Sequence, residues 1–135
     1  MPVATGMSDR RSYLRDSALE LAVASGATAT VTGSEVTFDA SSLNTAKVVI
    51  ASGGYSSYTA GTAEWTVSLQ AATAAGGSFV TIESIVLPAT AKTIEVPFSG
   101  PEVTQRLGGR AAVVKGVITK TGSPGAATAT VYIAK

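Results

Sequence analysis

The sequence predicts an all-β fold: a single-domain antiparallel β-sandwich or jelly roll of about eight strands with an N-terminal arm. Three observations point there. Apolar and polar residues alternate with period two in one run after another. The clearest case is Glu64–Gln70, where Trp65, Val67 and Leu69 face one way and Glu64, Thr66, Ser68 and Gln70 the other. Turn residues separate these runs at short spacing, as in a sandwich and unlike a succession of βαβ units. Finally, the chain has 135 residues, 45% hydrophobic and only 14% charged, which is enough apolar surface for one real core.

Residues 1–12 are polar, carry Pro2, Gly6 and the Arg10-Arg11 pair, and read as an arm leading into a domain that spans 13–135. Two patterns compete from Ser12 to Ala24. Ser17, Leu19, Leu21 and Val23 fit a strand face; Leu14, Ala18, Leu21 and Ala22 fit a helix stripe that Gly26 would end. The β character of everything downstream favours extended structure. Ala27, Ala29 and Val31 then alternate with threonines, Gly33-Ser34 makes a turn, and Val36 and Phe38 alternate with Glu35, Thr37 and Asp39. Lys47–Ala51 is a short continuous apolar run, as in a strand covered on both faces, and Gly53-Gly54 opens a loop holding Tyr55 and Tyr58.

The Glu64–Gln70 strand returns through Gly76-Gly77 into a second β-rich run, forming a hairpin. That second run changes phase: Val80 and Ile82 share one parity, Ile85 and Leu87 the other, so a β-bulge is predicted near Ser84. Pro88 closes the strand. Ile94, Val96 and Phe98 alternate with Thr93, Glu95 and Pro97, and Pro97 marks an edge position or a strand end, since it cannot donate to a ladder. Gly100-Pro101 and Gly108-Gly109 punctuate what reads as a loop. The runs Arg110–Lys120 and Ala127–Ile133 read as a closing hairpin turned at Thr121–Gly125. No fixed-period repeat is present.

Ten basic and nine acidic residues give a net charge of +1, which excludes a strong electrostatic case for nucleic acid, and no nucleic-acid partner is expected. No run is long and apolar enough for a membrane span, and the N-terminus shows no secretory signal. The chain has no Cys and no His. Disulfides, Cys–His and Ser–His–Asp catalysis, and zinc sites of imidazole or thiolate are therefore excluded within one chain. There is no phosphate-binding Gly-rich loop, no EF-hand loop and no Ser-x-x-Lys spacing at Lys47, Lys92 or Lys115. No cofactor is expected.

Paired carboxylates are the remaining acid–base option. Glu64, Glu83 and Glu95 each sit in a strand beside Ser or Thr, so they read as solvent-face charges, as do Glu35 and Asp39. Trp65 is in phase with Val67 and Leu69 and reads as core. Tyr55 and Tyr58, in a Gly/Ser loop, read as a loop anchor or subunit contact, with a sugar platform as the alternative. Arg10, Arg11 and Arg15, diluted by Asp9 and Asp16, read as a solvated arm or one that docks on a neighbouring protein.

Three passages give the chain a family likeness: Asp16-Ser-Ala-Leu-Glu-Leu-Ala-Val-Ala24 leading into Val36-Thr-Phe-Asp39; the Trp65-Thr-Val-Ser-Leu-Gln-Ala-Ala hairpin with Ser78-Phe-Val-Thr-Ile82; and the closing strands Arg110-Ala-Ala-Val-Val-Lys-Gly-Val117 and Ala127-Thr-Ala-Thr-Val-Tyr-Ile133. In these it resembles the capsid cement (decoration) proteins of tailed bacteriophages. The hairpin also looks like tail and fibre β-domains. The resemblance implies a jelly roll or β-sandwich without enzymatic activity. It implies a dimer or trimer on the outer capsid of the virion, assembled in the host cytoplasm and bridging subunits of the major capsid protein. Arg10, Arg11, Tyr13, Leu14 and Arg15 in the arm, with Tyr55 and Tyr58, are the expected capsid or subunit contacts. A carbohydrate- or receptor-binding virion module is the alternative function.

Overall fold

Alternation decides which side of each strand faces inward, and long-range pairing decides where each strand lies. The computed structural model describes residues 20–37 and 46–134. Nine strands run along them: β1 (Glu20–Ala27), β2 (Val31–Thr32), β3 (Val36–Thr37), β4 (Lys47–Ser52), β5 (Glu64–Ala72), β6 (Val80–Val86), β7 (Lys92–Pro97), β8 (Val113–Thr121) and β9 (Ala127–Ala134). One helix, α1 (Gly100–Leu107), lies between β7 and β8. Among the described residues no helix is long and apolar enough to cross a membrane.

Every pairing is antiparallel. β1 pairs with β9, β2 and β3 with β8, β4 with β7, and β5 with β6. The chain is thus one long hairpin with its turn between β5 and β6. Rolling that hairpin up adds the contacts β4–β9 and β5–β8. The result is a four-stranded sheet in the order β1-β9-β4-β7 facing a second sheet in the order β2-β8-β5-β6, with β3 also on β8. Counting β2 and β3 as one interrupted strand gives eight, in the order of a jelly roll. β8 and β9 therefore do not form the expected closing hairpin. They lie in opposite sheets, and Thr121–Gly125 carries the chain across the sandwich.

The core fills the space between the sheets. Trp65, Val67, Leu69 and Ala71 from β5 are fully buried, as are Val48 and Ile50 from β4, Ile118 from β8 and Val131 and Ile133 from β9. Burying each large apolar side chain contributes about 1.5–3 kcal/mol. Val49 is buried too, although it faces outward, in register between Tyr132 and Glu95; this accounts for the unbroken apolar run in β4. At one edge the sheets close tightly. Gly116 of β8 faces Leu21 and Ala22, and Gly33 donates to its carbonyl at 2.8 Å, so close that a Cβ on Gly33 would overlap the Leu21 carbonyl.

The segment with competing strand and helix patterns is extended from Glu20 onward; residues 12–19 lie outside the described residues, as do Phe38 and Asp39. Gly26 sits at a register shift of β1 with φ +61° and terminates no helix. The predicted bulge is present two residues before Ser84. Leu69 pairs with Glu83 and Gln70 with Thr81, leaving Ile82 as the extra residue, and Ile82 enters the core. The bulge frees the Ile82 carbonyl, which accepts a hydrogen bond from Arg106 Nη1 at 2.6 Å.

Arg106 belongs to α1, where a loop was expected. Ser99 caps the helix N-terminus through the Glu102 N–H at 3.4 Å, Pro101 occupies the first turn, and Gly108 ends it at φ +79°. Val103 is fully buried beneath it. The sequence carried this signal in Ser99-x-x-Glu102 with Pro101 and Gly108. The two Gly-containing pairs that read as loop punctuation are in fact the boundaries of a helix.

Candidate functional site

One end of the sandwich is built from the β4–β5 loop (53–63) and the β6–β7 loop (87–91). The first returns on itself through a Thr59–Ala63 bridge, with the Ala63 N–H donating to the Thr59 carbonyl at 2.8 Å. Gly61 takes φ +75°, and its N–H donates to Glu64 Oε1 at 2.9 Å. Ser57, between the two tyrosines of the loop's first half, takes φ +60°, a conformation a non-glycine residue seldom adopts.

Three consecutive carbonyls stitch the loops together. The Tyr55 hydroxyl donates to Leu87 O at 2.9 Å, Ser52 Oγ to Pro88 O at 2.6 Å, and the Tyr55 N–H to Ala89 O at 2.9 Å. Ser52 Oγ also accepts from the Gly54 N–H at 3.1 Å, which explains a buried hydroxyl at that position. Gly54 is required here: its φ is +87°, and a Cβ would stand 2.7 Å from the Ala89 carbonyl oxygen. The Tyr55 hydroxyl accepts in turn from the Trp65 N–H at 3.3 Å, and Trp65 Nε1 donates to Gly125 O at 2.9 Å. This last bond ties the β8–β9 crossing to the same end.

Burial is the main reason the Tyr55 phenol is pushed above its ordinary pKa. Nearby Tyr58 and Glu64 push the same way, against the Trp65 N–H bond. Tyr55 is thus a loop anchor. Its ring meets that of Tyr58 edge-on, at 6.1 Å between centroids and 77° between planes, so the two rings offer no shared flat platform for a sugar. Tyr58 alone projects, 46% exposed. Beside it runs an open groove of about 460 Å³ bounded by Tyr58, Val86, Pro88, Thr90 and Lys92. Val86 is 43% exposed because the Ile82 bulge leaves Ile85 and Leu87 facing inward and turns Val86 out.

Arg10, Arg11, Tyr13, Leu14 and Arg15 lie outside the described residues. The three glutamates make separate local contacts: Glu64 with the Gly61 N–H, Glu83 with Arg106 at 3.4 Å, and Glu95 with Lys47 at 2.9 Å. Glu95 is in the opposite sheet from the other two. Trp65 is fully buried, as its parity required. Among the described residues no three acidic side chains gather as a metal site would need. Val86, Pro88 and Lys92 were not singled out from sequence, yet the phase change before Leu87 already placed Val86 on the outer face. No protein-family model matches the chain, and no curated protein matches it.

Proposed function

We propose that the chain is a non-enzymatic structural protein of a tailed-phage virion that binds the outer capsid as an oligomer and bridges subunits of the major capsid protein. The observation that supports this best is the outward surface of the β1-β9-β4-β7 sheet. Val23, Thr130, Ala51 and Thr93 form one uncharged row across all four strands, and Glu20, Tyr132, Val49 and Glu95 form the next. The charges of this face lie in the second row and beside it, Glu20 on β1 and Glu95 on β7, the latter paired with Lys47 at 2.9 Å, so a close neighbour can cover the row through Val23, Thr130, Ala51 and Thr93 without stripping water from ions. The jelly-roll frame supports the same reading, because it holds a rigid core while leaving loops for contact. Multivalent attachment lets individually modest contacts suffice.

The test is localisation on purified virions. An antibody against the chain is expected to label the capsid shell, and a chain deleted for residues 1–15 should lose capsid occupancy. Labelling confined to the tail, or no incorporation into particles, would overturn the proposal. The exposed face of Tyr58 favours a second reading, a receptor- or glycan-binding module of tail or fibre. Tail labelling together with a glycan-array signal lost in Tyr58→Ala would support that reading instead.

A further inference from the structure

We propose that the groove between Tyr58, Val86, Pro88 and Lys92 is a docking site for an extended, acidic segment of a partner protein. An apolar side chain of the segment sits between Tyr58 and Val86, and a carboxylate reaches Lys92. The inference does not depend on a virion role, since it follows from the chemistry of the groove alone.

Four observations lead to it. First, Tyr58 and Val86, at 46% and 43% exposure, are two of the four large apolar side chains the described surface leaves open, and they border the same groove. Second, the groove is pre-formed. The carbonyls of Leu87, Pro88 and Ala89 are each held by a hydrogen bond from Tyr55 or from Ser52 at the end of β4, so little ordering remains to be done on binding. The loop sequence Tyr55-Ser-Ser-Tyr-Thr59 has the composition of protein-recognition loops, in which tyrosine supplies a large amphipathic contact at low entropy cost.

Third, charge complementarity selects an acid. Among the described cations, Lys47 pairs with Glu95, Arg106 with Glu83 and Glu102, Lys115 lies over the Phe79 ring and Lys120 donates to Thr28 O. Arg110 is also engaged. Lys92 has no such partner among the described residues, no acidic side chain lines the groove, and Glu64 at the start of β5 accepts from the Gly61 N–H. Fourth, among the described residues β6 is an edge strand that pairs with β5 alone, and α1 reaches it at Ile82 through Arg106. Its Ser84–Val86 end is left for strand addition by an extended chain. A neutral sugar fits less well, because the three loop carbonyls already accept hydrogen bonds and only the Tyr58 hydroxyl, Thr90 and Lys92 offer polar side-chain groups.

The experiment pans a random heptapeptide display library on the full-length chain. Enriched peptides are then synthesised, and their affinity is measured by fluorescence anisotropy for the wild type, Lys92→Glu, Lys92→Arg, Tyr58→Ser and Val86→Ser. These side chains are exposed, so unchanged melting curves verify that each variant is folded. Enriched sequences are expected to carry Asp or Glu next to an aliphatic or aromatic residue. Lys92→Glu should weaken them about tenfold or more while Lys92→Arg retains binding, and each apolar variant should weaken them about fivefold. Affinity should fall as salt rises from about 50 to about 300 mM. The proposal is overturned by the absence of enriched peptides, by enrichment without acidic residues, or by binding indifferent to Lys92→Glu. Glycan-array binding in place of peptide binding would also overturn it. So would concentration-dependent dimerisation in sedimentation velocity that Lys92→Glu abolishes, since the occupant would then be a second copy.

Discussion

Replacing Tyr55 by phenylalanine removes one oxygen atom and keeps the ring, so its effect isolates the hydrogen bonds that join the two loops. The hydroxyl donates to Leu87 O at 2.9 Å and accepts from the Trp65 N–H at 3.3 Å. A net hydrogen bond is worth about 1 kcal/mol, and a carbonyl left unpaired in a partly buried site adds a fraction of its desolvation cost, about another 1 kcal/mol. The longer bond from Trp65 adds little, so the total is about 2 kcal/mol. For 135 residues an unfolding entropy near 2.1 cal/mol/K per residue gives about 0.3 kcal/mol/K, and the melting temperature should drop by about 7 °C. Calorimetry at pH 7 measures it.

The same substitution carries a pH signature. Burial raises the Tyr55 pKa in the folded state above its ordinary value of 10.0. The folded protein therefore holds this proton more tightly than the unfolded chain. That stabilisation is complete below pH 10 and is lost as pH rises through the higher folded value. Wild type and Tyr55→Phe should differ by a constant amount below pH 10, and the gap should narrow above it. A melting shift under about 2 °C, or parallel alkaline profiles, would refute the assignment of Tyr55 as the anchor.

Two further predictions concern the frame. Gly33→Ala places a Cβ on the Leu21 carbonyl and should cost about 3 kcal/mol or prevent folding. Gly26→Ala meets nothing within 4 Å and should cost only the left-handed penalty of φ +61°, about 1 kcal/mol; equal urea midpoints for the two would contradict the close approach at Gly33. Arg106→Ala leaves the Ile82 carbonyl without its partner and should cost about 1 kcal/mol, discounted because Arg106 is about half exposed. If the backbone bond dominates over the ion pairs to Glu83 and Glu102, this loss should be nearly the same in about 0.05 and about 1 M salt; a loss that vanishes at high salt would assign the effect to the ion pairs.

Parity was the legible part of the sequence. The burial of Trp65, Val67 and Leu69 and the phase change before Ile85 follow from side chains alternating across a pleated strand, which is a local property. Partner choice is not local. Thr121-Gly-Ser-Pro-Gly125 has the composition of a tight hairpin turn, yet it spans the two sheets, because the hydrogen bonds of β9 are better used between β1 and β4. The helix was legible and was misread: Ser99-x-x-Glu102 and Gly108 are strong boundary signals, but only Val103 and Leu107 mark its inner face, too short a stripe to stand out among strands. At the site, Tyr55 and Tyr58 were visible as a pair. Their different roles were not, because the difference lies in the carbonyls of Leu87 and Ala89, more than thirty positions away.

The way the sheet edges are protected narrows where this molecule can make specific contacts. An unguarded edge strand invites indiscriminate pairing. β7 carries Lys92, Glu95 and Pro97, and β6 is bent by the Ile82 bulge and met there by Arg106. On the other side the edge of the second sheet is broken into two strands of two residues each, and the close approach of Gly33 brings it against β1. Of the sites left open, the Val86 end of β6 combines an exposed apolar side chain, a neighbouring aromatic and a cation without a partner. A protein whose sheet face offers an uncharged row of small side chains needs such a marker if contact is to have register as well as area: flat, uniform surfaces can slide, whereas one aromatic and one charge on a rigid loop fix position. The hydrogen bonds of Tyr55 and Ser52 thereby connect stability to recognition. Tyr55→Phe should loosen the Leu87–Ala89 loop and weaken peptide binding at Lys92 while leaving both exposed groove residues, Tyr58 and Val86, unchanged.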